Sequence, residues 1–158
     1  MERWPSGWRC SPGKTVYSLP STRSSNLLLS AILIWKELNL FTKKLNDCEE
    51  FIAGDNTILR EILHPDKADL ELRYSLAHAV LKHGKTSYPH ALKTSEVYYI
   101  LEGHGLMFID EESREVEAHE TIYIPPGAKQ YIKNIGDQDL KFLAIVDPAW
   151  QESDEIIY

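Results

Sequence analysis

The chain has 158 residues, of which 43% are hydrophobic and 26% charged, with a formal net charge of -7. That length suffices for one domain with a core of its own. The acidic balance argues against a general nucleic-acid binder, whose footprint would be basic.

The charge is unevenly spread. Residues 1–45 carry seven Lys/Arg and two Asp/Glu, a balance of +5, whereas residues 46–158 carry ten and twenty-two, a balance of -12. A basic head on an acidic body reads as two pieces: an N-terminal extension over 1–45 and a folded domain over 46–158.

The extension is rich in Ser, Arg and Trp (Trp4, Trp8, Arg9, Ser24, Ser25). Its apolar stretch, Leu27 to Trp35, is nine residues long and broken by Ser30, against the roughly 20 that a membrane span needs. No small-residue cleavage site follows, since Lys36-Glu37-Leu38 comes next. A flexible extension is the plain expectation, with a short helix over Ser25–Lys44, docked or free, and a targeting segment as the alternatives. No membrane partner is expected. Cys10 and Cys48 make no metal-binding spacing and read as free thiols of a reducing, cytoplasmic compartment.

From Asn46 onward short β-rich runs alternate with turn signals. Strands are predicted over Thr57–Leu63, Leu70–Lys82, Glu96–Leu101, Leu106–Asp110, Glu115–Ala118, Thr121–Ile124, Gln130–Asn134 and Leu140–Asp147. Between them lie His64-Pro65-Asp66, His83-Gly84-Lys85, Gly103-His104-Gly105, Asp110-Glu111-Glu112-Ser113, Pro125-Pro126-Gly127 and Gly136-Asp137, each with residues that favour turns for backbone reasons. Gly103 and Gly105 are expected to flank a tight hairpin. Leu106–Ile109 is apolar on both faces and Glu115–Ala118 on one, as befits an inner and an edge strand. No helical period follows residue 46. Eight short strands at this spacing predict an all-β sandwich or barrel.

Two segments carry polar residues beside turns: Gly84-x5-His90-x-Leu92-x3-Glu96-x6-Gly103 and Pro125-x-Gly127-x2-Gln130-x3-Asn134. Inward positions near one mouth of a small barrel converge. His90, Glu96 and Gln130 would there form a polar cluster at the end of an apolar tube, the usual design of a ligand or metal pocket. A carboxylate entering the run Val97-Tyr98-Tyr99-Ile100-Leu101 needs a partner if buried. Tyr98, Tyr123 and Tyr131 are further candidates to line a sugar or aromatic site, and Trp150 is expected to act as a lid or a dimer contact. His104 and His119 read as turn residues.

These segments resemble the two motifs of the cupin superfamily, G-x5-H-x-H-x3-4-E-x6-G and G-x5-P-x-G-x2-H-x3-N, over about residues 50–148. Gly84, His90, Glu96 and Gly103 match the first, and Pro125, Gly127 and Asn134 the second. The chain looks most like the small single-domain cupins described as similar to mannose-6-phosphate isomerases. The resemblance implies a double-stranded β-helix (jelly-roll) barrel that pairs with a second copy as a homodimer. It also implies a divalent metal such as Fe, Mn, Ni or Zn. Here, however, the second His position holds Leu92, the motif-two His position holds Gln130, and the opening Gly of motif two is His119. The inherited set is His90, Glu96 and Gln130, weaker than three histidines, with His78 as the candidate additional ligand.

The expected function is therefore a pocket for a small polar molecule, a sugar or a carboxylate, bound by His90, Glu96, Gln130 and Tyr98 beside a degenerate metal site. The alternative is a metal-dependent enzyme of the sugar-phosphate isomerase or dioxygenase kind, with Glu96 as its catalytic base.

Overall fold

The computed structural model describes residues 40–68 and 70–158. The chain divides into two units, Met1–Leu40 and Phe41–Tyr158. The expectations for residues 1–39, Cys10 among them, lie outside the described residues; residues 40–44 are not helical. Cys48 is a buried free thiol.

After a single 3-10 turn over Leu45–Asp47 come β1 (Glu50–Ile52), β2 (Ile58–Leu63), β3 (Ser75–Leu81), β4 (His90–Leu92), β5 (Ser95–Glu102), β6 (His104–Ile109), β7 (Glu112–Glu117), β8 (Thr121–Ile124), β9 (Gln130–Asn134), β10 (Leu140–Asp147) and β11 (Glu155–Ile157). They form a six-stranded sheet in the order β1-β2-β3-β10-β5-β8 and a five-stranded sheet in the order β11-β4-β9-β6-β7. All the pairings are antiparallel. Consecutive strands that change sheet make this a jelly roll, as the cupin resemblance implied.

Side-chain alternation decides what faces inward. Leu81 of β3, Tyr98 and Ile100 of β5, and Leu140 and Phe142 of β10 meet Met107 and Ile132 of the facing sheet in one core. Toward the other end of the same strands the inward positions are small: Ser75, Ala77 and Ala79 on β3 and Ala144 on β10. Close-packed interiors leave few voids. A row of short side chains opposite a second sheet opens one, and the cavity described below lies there.

Several boundaries differ from expectation. Sequence patterning missed the three-residue strands β1, β4 and β11, which are too short to show a period. The run from Leu70 becomes a strand only at Ser75, because Leu72 N–H bonds the Leu70 carbonyl at 2.9 Å in a tight turn that cannot pair. Gly103-His104 is not a hairpin tip: β5 and β6 belong to different sheets, so Gly103 is where the chain crosses over. His104 accordingly starts β6, with Nε2 3.2 Å from Glu115 Oε2. His119, in place of the motif glycine, keeps that glycine's backbone with φ 74 in a turn.

Asn134, the last residue of the second motif, is structural. Its Nδ2 donates to the carbonyls of Leu81 (2.9 Å) and Gln138 (2.8 Å), and its Oδ1 accepts from Gly136 N (3.1 Å). It is 1% exposed and ties the β9–β10 turn to the end of β3.

Gly103 has φ +94, and a Cβ there would lie 2.9 Å from both Asp139 O and Leu140 Cα. Gly127 has φ +79 with open space around it. Gly103→Ala is therefore expected to cost about 1–3 kcal/mol in urea denaturation, and more than Gly127→Ala. Equal losses would show that the crossover tolerates a side chain.

Candidate functional site

A cavity of about 350 Å³ opens between the small inward positions of β3 and β10 and the β4–β11 side of the opposite sheet. Its walls hold His90, Leu92, Glu96 and Tyr98, together with Asp55, Thr57, Phe142, Trp150 and Glu155.

Glu96 enters from β5 and is only 6% exposed. Its Oε2 accepts a hydrogen bond from Gln130 Nε2 at 2.5 Å, donated from β9 in the other sheet. Burial, opposed by the nearby His90 and the Gln130 hydrogen bond, pushes the Glu96 pKa up to about 7. The carboxyl is thus close to half-protonated near neutrality. Tyr98, two residues on and on the same face, packs against Phe142 with ring centroids 4.5 Å apart and the planes tilted by 42°. Burial first, and then the Glu96 charge, raises its phenol pKa well above the ordinary value.

His90 opens β4 and is 4% exposed. Its Nδ1 lies 3.1 Å from the Tyr88 carbonyl. A carbonyl only accepts, so Nδ1 carries the proton and, in the neutral ring, Nε2 carries the lone pair. Nε2 makes no hydrogen bond among the described residues, and the ring lines the cavity.

Gln130 and His78 depart from the expected ligand set. Gln130 is fully buried behind Glu96 and does not line the cavity; its Oε1 is buried without a hydrogen-bond partner. It holds the Glu96 carboxyl from behind. His78 sits on β3 between Ala77 and Ala79, which face the cavity, so alternation turns it to the outer face. Its register partners there are Leu143 and Arg60. Burial, then Lys141 and Arg60, lower its pKa. It cannot join His90 and Glu96. Tyr123 is 61% exposed, and Tyr131 stacks on Phe108 at 4.3 Å, away from the cavity.

These placements decide the fit of a metal. The strong donors that converge are His90 and Glu96; the Glu96 oxygen nearest Gln130 already accepts a bond, and Leu92 offers none. Among the described residues no three His, Cys, Asp or Glu side chains are grouped so as to hold an ion. The donor set does not fit the divalent metal that the motifs imply.

Two carboxylates were missed from sequence. Asp55 sits in the turn after β1, and its Oδ1 accepts from Thr57 N (3.0 Å) and Thr57 Oγ1 (2.7 Å), which pins it at the cavity wall. The same turn is tied to the His90 segment, because the Asp55 carbonyl accepts from Tyr88 N at 2.6 Å. Glu155 begins β11, which pairs with β4 opposite Leu92; its Oε2 accepts from Trp150 Nε1 at 3.3 Å. Burial raises its pKa, with His90 acting in the other direction. The turn signal Gly54-Asp55-Asn56 was visible in sequence; its closure over the cavity was not.

The raised Glu96 pKa has a stability consequence. The unfolded chain loses this proton near 4.5 and the folded chain near 7, so between those values the folded state binds more protons. Its contribution is most favourable below the unfolded value, falls as pH rises, and is fully lost above about 7. Relative to wild type, Glu96→Gln should therefore gain up to about 3 kcal/mol in urea denaturation between about pH 5 and about pH 8. Parallel pH profiles for the two proteins would show an ordinary carboxyl. A second expectation concerns metal. Elemental mass spectrometry of protein purified without chelators or a polyhistidine tag should find far less than one ion per chain, unchanged in His90→Ala; a stoichiometric ion lost in that variant would refute the misfit.

Known proteins agree with this architecture. Residues 77–146 match the family model described as a cupin domain. Over 118 residues the chain is 38% identical to uncharacterized protein MJ1618 of Methanocaldococcus jannaschii, a match spanning 74% of this chain and 94% of the relative. Among solved structures, a predicted oxalate decarboxylase of Thermotoga maritima is 19% identical with a TM-score of 0.61, over 68% of this chain and 99% of that one. The nucleoside dehydratase Pac13 is 16% identical with a TM-score of 0.62, over 76% of this chain and 92% of that one; the same enzyme from Streptomyces matches in a form holding uridine. At such identities these two structures share the fold alone. With the motifs, the jelly roll and these relatives taken together, the chain belongs to the cupin superfamily.

Proposed function

We propose that this protein binds a small polar molecule in the barrel cavity and transfers protons on it with its own side chains, His90 as base and Glu96 as acid. One observation carries the reading: a histidine nitrogen with a free lone pair and a carboxyl with a pKa of about 7 face the same buried cavity. Efficient general acid–base groups titrate near the working pH, and a buried carboxyl shifted as Glu96 is, facing a cavity, marks functional sites more often than packing sites. Gln130 holds the carboxyl, Tyr98 and Phe142 form an aromatic wall, and Leu92 adds an apolar side chain on the strand where the motif would place a second histidine.

The chemistry suited to such a pair is removal of a proton from carbon and return of one to oxygen or carbon, as in isomerisation or dehydration. A dehydratase on the same fold, Pac13, supports the plausibility of the class without assigning a substrate. The metal-dependent sugar-phosphate isomerase and dioxygenase readings find less support. Their donor set is missing, and the cavity lining sets four carboxyls against one lysine, Lys67, itself paired with Glu61 at 2.9 Å.

The test is a thermal-shift panel of polyols, nucleosides, amines and small acids, followed by incubation of each hit in D2O with hydrogen–deuterium exchange at carbon read by NMR. Exchange should fall by about 10²-fold or more in His90→Ala and in Glu96→Gln, and binding should vanish in Ala77→Phe, which fills the cavity. Hits that bind Ala77→Phe as well as wild type, or that exchange no proton, would refute the proposal.

A further inference from the structure

The hydrogen-bonding inventory of the cavity wall is one-sided. The Gln130 amide N–H groups face Glu96, not the cavity. The Thr57 hydroxyl donates to Asp55, and the Trp150 indole N–H donates to Glu155. Lys67 is held by Glu61. Most of these side-chain donors are thus engaged by the wall's own acceptors; the hydroxyls of Tyr98 and of Ser75, whose Oγ accepts from Trp150 N, are the other donors of the lining. The rest of the wall is acceptors: the carboxylates of Asp55 and Glu155, and His90 Nε2. A carboxylate only accepts, as does the unprotonated ring nitrogen. The cavity lining counts four carboxylates (Asp55, Glu61, Glu96, Glu155) against one lysine.

Acidity alone would not make a site. The second observation is His90, only 4% exposed, which lines the same space and whose Nε2 makes no hydrogen bond among the described residues. The third is aromatic: the rings of Tyr98, Phe142 and Trp150 line the cavity beside these acceptors, and ring faces attract cations.

From this we infer that the ligand carries an ammonium group, seated between Asp55 and Glu155 against the Tyr98 and Trp150 rings. This rests on the pocket reading above and narrows it: a carboxylate or phosphate ligand would meet four carboxyls against one lysine, with only hydroxyls and a protonated Glu96 to donate, and its desolvation would be poorly compensated. Glu155 is the specificity-determining residue of this arrangement. It reaches the cavity because β11 pairs with β4, and that strand is anchored by Lys93 N to Asp154 O at 2.9 Å and Tyr158 N to Pro89 O at 2.9 Å.

The experiment compares ligands of one skeleton and different charge: ethanolamine with glycolate, tyramine with 4-hydroxyphenylacetate, and glucosamine with glucose and glucuronate. Binding is read by thermal shift and by calorimetry on the full chain, in wild type, Glu155→Gln, Asp55→Asn and Ala77→Phe. Glu155→Gln keeps the acceptor for Trp150, and its circular dichroism checks the fold. The expected result is that an amine binds more tightly than its acid counterpart, that Glu155→Gln weakens it by about tenfold or more, that Asp55→Asn also weakens it, and that Ala77→Phe abolishes it. An acid that binds better than its amine, and is lost in Ala77→Phe, would overturn the ammonium inference and leave the pocket standing. Amines that bind Ala77→Phe equally would place them outside the cavity and overturn both. A panel in which no amine binds would overturn the inference, while glucose and the acids decide the pocket separately.

Discussion

A buried carboxylate must be satisfied, and in this barrel the satisfaction comes from the opposite sheet. Glu96 on β5 and Gln130 on β9 meet across the interior through one hydrogen bond. An unpartnered carboxylate there would carry a large desolvation cost; with the amide donor present it is tolerated, though its ionisation is held back. The bond therefore fixes the distance between sheets at the cavity, the direction of the Glu96 side chain, and the protonation behaviour of the site. His90 completes this frame, since it is the register partner of Gln130 on β4.

The replacement of two family histidines by Leu92 and Gln130 changes the chemistry the same backbone supports. An imidazole at position 130 would offer a lone pair to an ion; an amide offers N–H to a carboxylate. An imidazole at position 92 would add a ligand; a leucine offers no lone pair. The result is a histidine and a buried carboxyl with a raised pKa on the wall of one cavity. Around them the fold adds Asp55 from a turn tied to the His90 segment and Glu155 from a tail strand, so the pocket becomes a cup of acceptors lined by rings.

Much of this could be read before the fold was known. An all-β sandwich or barrel followed from eight short strands and their turn residues, the cupin resemblance implied the jelly roll, and the strand ranges for Thr121–Ile124, Gln130–Asn134 and Leu140–Asp147 coincide with β8, β9 and β10. The spacing of His90, Glu96 and Gln130 identified side chains that do meet. The motif glycines at 84, 103 and 127 have positive φ, and His119 has it in place of a fourth. Each of these depends on local properties, namely side-chain period, turn conformations and distance along one strand, which the order of residues carries directly.

What the chain order could not carry was which side of each strand looks inward and what comes to cover the mouth. His78 and Gln130 were alike as candidates, yet one strand position turned His78 outward and the sheet-to-sheet pairing put Gln130 behind Glu96. The three-residue strands β1, β4 and β11 have no period of their own and exist because neighbouring strands supply their partners. Asp55 and Glu155 lie 100 residues apart in sequence and reach one cavity only when the β1–β2 turn and the C-terminal strand close over it. The sequence by itself determined the barrel and two of its site residues, because those rest on local period and spacing. The tertiary structure decided the acceptor-rich cavity and its misfit to metal, because both depend on which distant side chains share one enclosed volume.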